Sequence, residues 1–319
     1  MIFPEKLESG DVIGLVAPSS PVASDKIDEC VVLLQNMGYR VKEGASCRKT
    51  YHGYLAGRDE ERAKDINDMF ADKDVKAIFC LRGGNGSVRI MDLLDYEMIK
   101  QNPKIFVGYS DITNLLMAFN TLCGFVTYHG PMVYSNMLKH YDPYTKASFE
   151  AVLNMEDQYT FQNPPEKEIK VLVPGKAYGQ LIGGNLSLLI NMLGTYWAPS
   201  FQDKILFIED IYENIPNIDR MICQMKALGI FEQIAGLLIG DFSECENEYD
   251  SNFLINEYIQ DQFADLKVPV MYNIGVGHCY PTGSLIMGCD CRIDTDKKEI
   301  LQSLLLPELL AGVPTVLRN

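Results

Sequence analysis

Short strand-like runs alternate with helical patterns through the first 130 residues, and that alternation leaves few folds open. The run from Asp11 to Pro18 is apolar and ends in Pro-Ser-Ser-Pro, a strand and a turn. Ser24 or Asp25 can cap the helix that follows, with Ile27, Val31, Leu34 and Met37 at helical spacing up to Gly38. Tyr39 to Lys42 reads as a second strand, Arg58 to Phe70 as a charged helix, and Val75 to Leu81 as a third strand. A glycine turn, Arg82-Gly83-Gly84-Asn85-Gly86, leads into a helical pattern through Ile90, Leu93 and Leu94. Strand-like Ile105 to Val107 and Phe125 to Tyr128 complete the series. Parallel βαβ units are the economical solution, so an α/β fold is predicted.

Within that series, Ile105 to Leu116 stands out. A buried-looking strand reaches Gly108, Ser110 follows at the bend, and Asp111 opens a helix with Leu115, Leu116 and Phe119 on one face. Strand, tight turn with a serine, then helix is the geometry of a nucleophile elbow, which lifts a hydroxyl toward the free N–H groups of a helix start. The motif is Gly-Tyr-Ser-Asp, not Gly-x-Ser-x-Gly. A serine that merely caps a helix would leave the same local trace.

From about Asn136 to Tyr178 the periodicity weakens and Asn163-Pro164-Pro165 and Pro174-Gly175 appear, so this stretch reads as a linker. The predicted division is 1–136, an N-terminal parallel-sheet domain; 137–178, the linker; and 179–319, a C-terminal mixed α/β domain. The second part opens with Gly183-Gly184-Asn185 ahead of a helix, where close packing or capping is the favoured reading. A strand at Ile205 to Ile208 ends in Glu209-Asp210. The next helix carries Ile218, Met221, Ile222, Met225 and Leu228 on one face and stops at Gly229. A strand at Gly236 to Gly240, a helix from about Asn252 to Phe263, and a strand from Pro269 to Val276 ending in Gly277-His278 follow, with strand-like pieces at Ser284 to Ile293 and Glu299 to Leu304.

Composition removes several function classes. The 319 residues carry 28 basic and 43 acidic side chains, a net charge of −15, which disfavours a nucleic-acid partner. No run of about 18 apolar residues suggests a membrane span, and the N-terminus lacks a basic stretch leading into an apolar one, so no secretory signal is predicted. The nine cysteines are an odd number, none is spaced Cys-x-x-Cys, and they read as buried thiols of a reducing compartment. Cys289-x-Cys291 has no second pair to complete a zinc site, so no metal is predicted. The Arg82–Gly86 turn is neither Gly-x-Gly-x-x-Gly nor a P-loop, and its chemistry fits oxyanion donation better than phosphate binding.

A serine nucleophile needs a base that titrates near neutrality. Of the four histidines, His129 and His278 both follow strand-like runs, and the residues alone leave the choice between them open. A carboxylate must orient the imidazole. Glu209 or Asp210 suits that role, since alternation turns only one of them to the side of Leu206 and Ile208, while Glu213 reads as a surface charge. Trp197, the only tryptophan, reads as packing.

Together these segments resemble the LD-carboxypeptidases, the serine peptidase family that also contains the microcin C7 self-immunity proteins. The likeness runs through Gly10-Asp11-Val12-Ile13-Gly14, Ala17-Pro18-Ser19-Ser20, Arg82 to Gly86, Gly108-Tyr109-Ser110-Asp111, His129-Gly130-Pro131, Gly183 to Leu186, Glu209-Asp210 and Gly277-His278. The resemblance implies Ser110 as nucleophile, His278 as general base, Glu209 as its orienting acid, and the Gly84 and Asp111 amides as oxyanion hole. It implies a cytoplasmic homodimer without metal or organic cofactor, removing the terminal D-alanine of a murein tetrapeptide from a cleft between its domains. Arg82 is a candidate for the substrate carboxylate on charge and position. Glu209 to Glu213 and Leu193 to Pro199 look closer to the recycling peptidases than to the immunity branch. An immunity-type hydrolase of aminoacyl nucleotide analogues is the alternative, and a non-catalytic two-domain ligand-binding protein is the rival from another class.

Overall fold

The computed structural model describes residues 1–304 and contains two β-sheets flanked by helices. In the first part of the chain lie β1 (Val12–Val16), α1 (Ser24–Asn36), β2 (Arg40–Glu43), α2 (Asp59–Ala71), β3 (Val75–Cys80), α3 (Tyr96–Gln101), β4 (Ile105–Gly108), α4 (Thr113–Ala118) and β5 (Thr127–His129). Neighbouring strands pair in parallel in the order β5-β4-β3-β1-β2. Both faces of this sheet are buried, which is why its strands read as nearly continuous apolar runs. On one face Phe70, Phe106, Phe119 and Phe125 form an aromatic cluster, with Phe106 and Phe119 edge-to-face at 4.9 Å.

The second part holds α5 (Pro143–Leu153), β6 (Gln158–Phe161), β7 (Lys170–Val173), β8 (Lys176–Asn185), α6 (Leu186–Met192), β9 (Ile205–Ile211), α7 (Ile215–Ala227), α8 (Ile230–Gln233), β10 (Gly236–Ser243), α9 (Ile255–Phe263), β11 (Val270–Tyr272), β12 (Leu285–Met287), β13 (Asp290–Asp294) and β14 (Glu299–Ser303). Eight of these strands form the second sheet, in the order β6-β14-β13-β8-β9-β10-β11-β7. Its centre, β8 to β11, is parallel and its flanks are antiparallel. The predicted α/β class, with a parallel first sheet and a mixed second one, is what forms.

Several boundaries differ from the sequence reading. The stretch 137–178 is not a bare linker: it supplies α5 and both edge strands of the second sheet. Edge strands are half-exposed and tolerate lysine and glutamine, so Gln158 and Lys170 hid them. Nor does the chain after 179 stay in one sheet, because β12 returns to the first and pairs antiparallel with β5. Gly288, at φ +83°, makes the turn that sends β13 back to the second sheet. Residues 305–319 of the expected C-terminal domain lie outside the described residues. The pattern through Ile90 and Leu93 forms a 3₁₀ segment, Ser87–Leu93, and α1 starts behind Ala23, without a side-chain cap from Ser24 or Asp25. On α7, Ile218, Ile222 and Met225 are buried as expected, each such side chain contributing roughly 1.5–3 kcal/mol. Leu228, however, lies past the last turn and is exposed. Among the described residues no helix is long and apolar enough to cross a membrane.

The two sheets meet where β8 passes α4. A side chain at Gly184 would lie 2.7 Å from the Thr113 hydroxyl, and one at Gly183 would strike the Phe207 carbonyl at 1.9 Å. Asn185 then donates its backbone N–H to Thr113 and caps α6 through Leu188 N. The glycine pair thus serves close packing and the asparagine serves capping, as the sequence reading favoured.

Candidate active site

The polar residues singled out by sequence collect at the C-terminal ends of parallel strands, where open α/β sheets bind ligands. From the first sheet come the Pro18–Ser20 turn after β1, the Arg82–Ser87 turn after β3, Ser110 after β4 and His129 at the end of β5. From the second come Glu209 and Asp210 at the end of β9, and His278 in the loop after β11.

Ser110 occupies the bend between β4 and the 3₁₀ turn Ser110–Ile112 that leads into α4. Its φ is +64°, a left-handed conformation that costs a non-glycine residue on the order of 1 kcal/mol or more. The bend is tight because Gly108 leaves room for Ile112, whose side chain would lie 2.8 Å from any Cβ there. Gly83 comes equally near: a Cβ on it would be 2.8 Å from Ser110 Cβ and 3.3 Å from the Asp111 amide nitrogen. Gly84, at φ +117°, is exposed beside it. The Ser110 side chain is partly exposed and has no hydrogen-bond partner among the described residues.

Glu209 is fully buried and accepts from, or shares a proton with, His278: its Oε2 lies 2.7 Å from His278 Nδ1. The approach requires Gly277, at φ +119°, because a Cβ there would sit 2.6 Å from that same oxygen. Burial pulls the imidazolium of His278 down, but the Glu209 charge and hydrogen bond, with Asp210 and Asp241 behind them, outweigh it and raise the pKa above the usual histidine value. The ring of Tyr109, the residue before Ser110, stands edge-to-face to His278 at 4.9 Å. Its hydroxyl accepts from Asn136 Nδ2 at 3.1 Å. Sequence reading passed over Tyr109, although it lies within the serine motif.

The other candidates separate cleanly. Asp210 points away from His278 and accepts from Asn185 Nδ2 and from the Ser187 hydroxyl and backbone N–H, fixing the start of α6. Glu213 accepts from Asn217 Nδ2 on the first turn of α7. His129 is buried between Tyr109 and Phe207, with neither ring nitrogen hydrogen-bonded among the described residues. Burial pushes its pKa down to about 4, so it is neutral. Trp197 is half-buried against Tyr196 and the core. All nine cysteines are unbridged, and among the described residues no cluster of three or more histidine, cysteine or acidic side chains could hold a metal.

Arg82 is half-buried, and among the described residues its guanidinium has neither an ion pair nor a hydrogen bond, although its Nε is shielded from solvent. The 18–20 and 83–87 turns are also tied to a buried arginine, Arg62 of α2, which sequence reading treated as part of a charged helix.

Known proteins share this fold. The profile of the LD-carboxypeptidase N-terminal domain matches residues 13–130, and that of the LD-carboxypeptidase C-terminal domain matches 178–293. A probable murein peptide carboxypeptidase of Bacillus subtilis is 40% identical over 298 residues, spanning 92% of each chain. The solved muramoyltetrapeptide carboxypeptidase of Oxalobacter formigenes superposes with a TM-score of 0.80 at 28% identity, over 91% of this chain and 97% of that one. The microcin C7 self-immunity protein MccF, in its wild-type apo structure, gives a TM-score of 0.88 at 28% identity, over 95% and 98%. Fold and matches together define a peptidase built of two α/β parts. The chain belongs to the LD-carboxypeptidase family.

Proposed function

We propose that this protein is a serine carboxypeptidase that cuts an L,D amide bond and removes the terminal D-alanine of a murein tetrapeptide in the cytoplasm. The observation that carries the reading is the 2.7 Å Glu209–His278 contact, set beside a strained elbow that presents Ser110. In this mechanism Ser110 Oγ attacks the scissile carbonyl while His278 Nε2 accepts its proton, and Glu209 holds Nδ1–H and stabilises the imidazolium. The oxyanion forms against the amides of Gly84 and Asp111, donors each worth ~3–4 kcal/mol in comparable sites. The C–N bond breaks as His278 returns the proton to the amine of D-alanine. Water, deprotonated by His278, then opens the acyl-enzyme and releases the tripeptide. Arg82, a cation without a protein partner among the described residues and the first residue of the glycine turn, receives the terminal carboxylate. The working assembly is a homodimer, which light scattering tests directly.

The deciding assay supplies L-Ala-γ-D-Glu-meso-diaminopimelyl-D-Ala and follows free D-alanine, with Ser110→Ala as control. Release by the wild type, and at least about 10⁴-fold less by the variant, is the expected result. Equal release by both removes Ser110 as nucleophile. The second reading draws on MccF, solved with aspartyl sulfamoyl adenosine: if this chain frees amino acid from such an analogue but not D-alanine from lysine- or diaminopimelate-containing peptides, it is an immunity-type hydrolase. Turnover of none of them favours the non-catalytic binding protein.

A further inference from the structure

We propose that the Arg62 guanidinium and the Asp111 carboxylate are positioning residues for the oxyanion site, holding the 18–20 and 83–87 turns in register with the elbow. The inference rests on the serine-peptidase reading above. In that reading the two oxyanion donors, the amides of Gly84 and Asp111, follow different strands, so chain connectivity alone does not set their separation. Side-chain cross-links do.

Asp111 is buried at the centre of them. Its Oδ2 accepts from the Ser19 hydroxyl at 2.5 Å and from the Ser87 amide at 2.8 Å. Ser87 returns the grip, its hydroxyl donating to the Asp111 carbonyl at 2.5 Å, while Asn114 Nδ2 donates to that hydroxyl at 3.1 Å. The turns are also tied to each other, by Ser20 N to the Gly83 carbonyl at 3.4 Å and Asn85 N to the Ser20 hydroxyl at 3.2 Å. Gly84 lies flat on Ser20, where a Cβ would fall 2.2 Å from the hydroxyl oxygen. Arg62 closes the set from beneath. It is fully buried, and its Nη1 donates both to the Pro18 carbonyl and to the Gly86 carbonyl, the latter at 2.9 Å. Its Nη2 is held by Asp59, which Arg89 grips from outside at 2.8 Å. One guanidinium therefore clamps one carbonyl of each turn, and one carboxylate fastens both turns to the residue after Ser110.

A buried arginine and a buried aspartate are costly unless paired, and a packing role alone would be met by apolar side chains. Oxyanion donors, by contrast, lose their effect when displaced by about 1 Å. The test compares Ser19→Ala, Asp111→Asn and Arg62→Lys with wild type, measuring kcat and KM for D-alanine release. It adds affinity for a peptidyl boronate, whose tetrahedral adduct with Ser110 occupies the oxyanion site. Asp111→Asn and Arg62→Lys are expected to lower kcat by about 10–100-fold, leave KM within about 3-fold, and weaken the boronate in proportion to kcat. Ser19→Ala, which deletes one hydrogen bond, is expected to lower kcat by about 3–10-fold. If the two larger changes prevent folding, the serine variant decides alone. An unchanged kcat per folded molecule, or a loss confined to KM, overturns the inference while an inactive Ser110→Ala keeps the peptidase reading. An inactive wild type, or a fully active Ser110→Ala, overturns both.

Discussion

Ser110 stands on a backbone bend flanked by two cross-linked turns, whereas His278 hangs from a loop and is held by one hydrogen bond and one ring edge. The first region is dense with fixed dipoles: the Gly83 turn leaves no room for a side chain beside the serine, and Asp111 gathers Ser19 and Ser87. In the second the loop is fixed but the ring is not: Asn163 holds Gly275 N at 2.8 Å, Thr145 holds Thr282 N at 3.0 Å and Thr282 holds the Gly277 carbonyl at 3.0 Å, while among the described residues the imidazole has the Glu209 hydrogen bond alone. The contrast fits the roles that the proposed mechanism gives the two residues. Dipoles that stabilise a developing oxyanion work only if they are in place before the charge appears. A proton carrier must serve the nucleophile and then the leaving group, so it needs orientation with some freedom of reach.

The largest effect that would sharpen this contrast comes from the histidine side. Glu209→Gln keeps the shape but removes the charge that orients His278, and kcat/KM is expected to fall by about 10²–10⁴-fold. The pH profile gives the sign. In the proposed mechanism His278 must lose its proton to act; its pKa is raised, so the wild-type kcat/KM should climb with pH through a midpoint above the ordinary value for histidine. Without the Glu209 charge, burial dominates, and the acid limb should move to lower pH. An acid limb that stays in place would show that another group titrates there.

On the rigid side, Gly83→Ala adds a single methyl 2.8 Å from Ser110 Cβ and 2.9 Å from its Oγ. The elbow or the glycine turn must then shift, and kcat is expected to drop by about 10²-fold while KM changes little. Full activity in this variant would mean that the bend yields, and the contrast between a serine fixed by its backbone and a histidine held by its side chain would fail.

How far the sequence announced these regions follows from which of their features are local. The elbow was legible because a buried strand, a glycine and a helix start are adjacent in the chain, and Gly277-His278 likewise sits at the end of an apolar run. The role of Arg62 was not legible, because a fully buried arginine in Asp-Glu-Glu-Arg looks like any solvated helix face. The return of β12 to the first sheet was hidden for a different reason: Ser284 to Ile293 reads as one strand-like piece, and only tertiary pairing splits it at Gly288. Pro269 to Val276 forms a strand only at Val270–Tyr272, since Asn273 takes φ +61° and the backbone leaves the sheet before His278.

Stability offers the smallest and sharpest comparison, because the two halves should respond with opposite sign. His278→Ala strands a fully buried Glu209 carboxylate whose Oε1 already lacks a partner among the described residues, so the variant is expected to lose about 1–3 kcal/mol. Ser110→Gly does the reverse. At φ +64° a Cβ is a liability, and removing it releases that backbone strain. The added freedom of glycine in the unfolded chain takes back part of that gain, leaving a net stabilisation of about 0.5–1 kcal/mol in denaturant melts. Ser110→Ala is the control, since it also abolishes the nucleophile but keeps the Cβ and the strain. If the glycine and alanine variants melt alike, the bend stores no strain, and the rigidity of the serine half comes from its cross-links alone. If the glycine variant is the more stable, the fold maintains a strained backbone at the one residue whose hydroxyl the proposed mechanism needs presented.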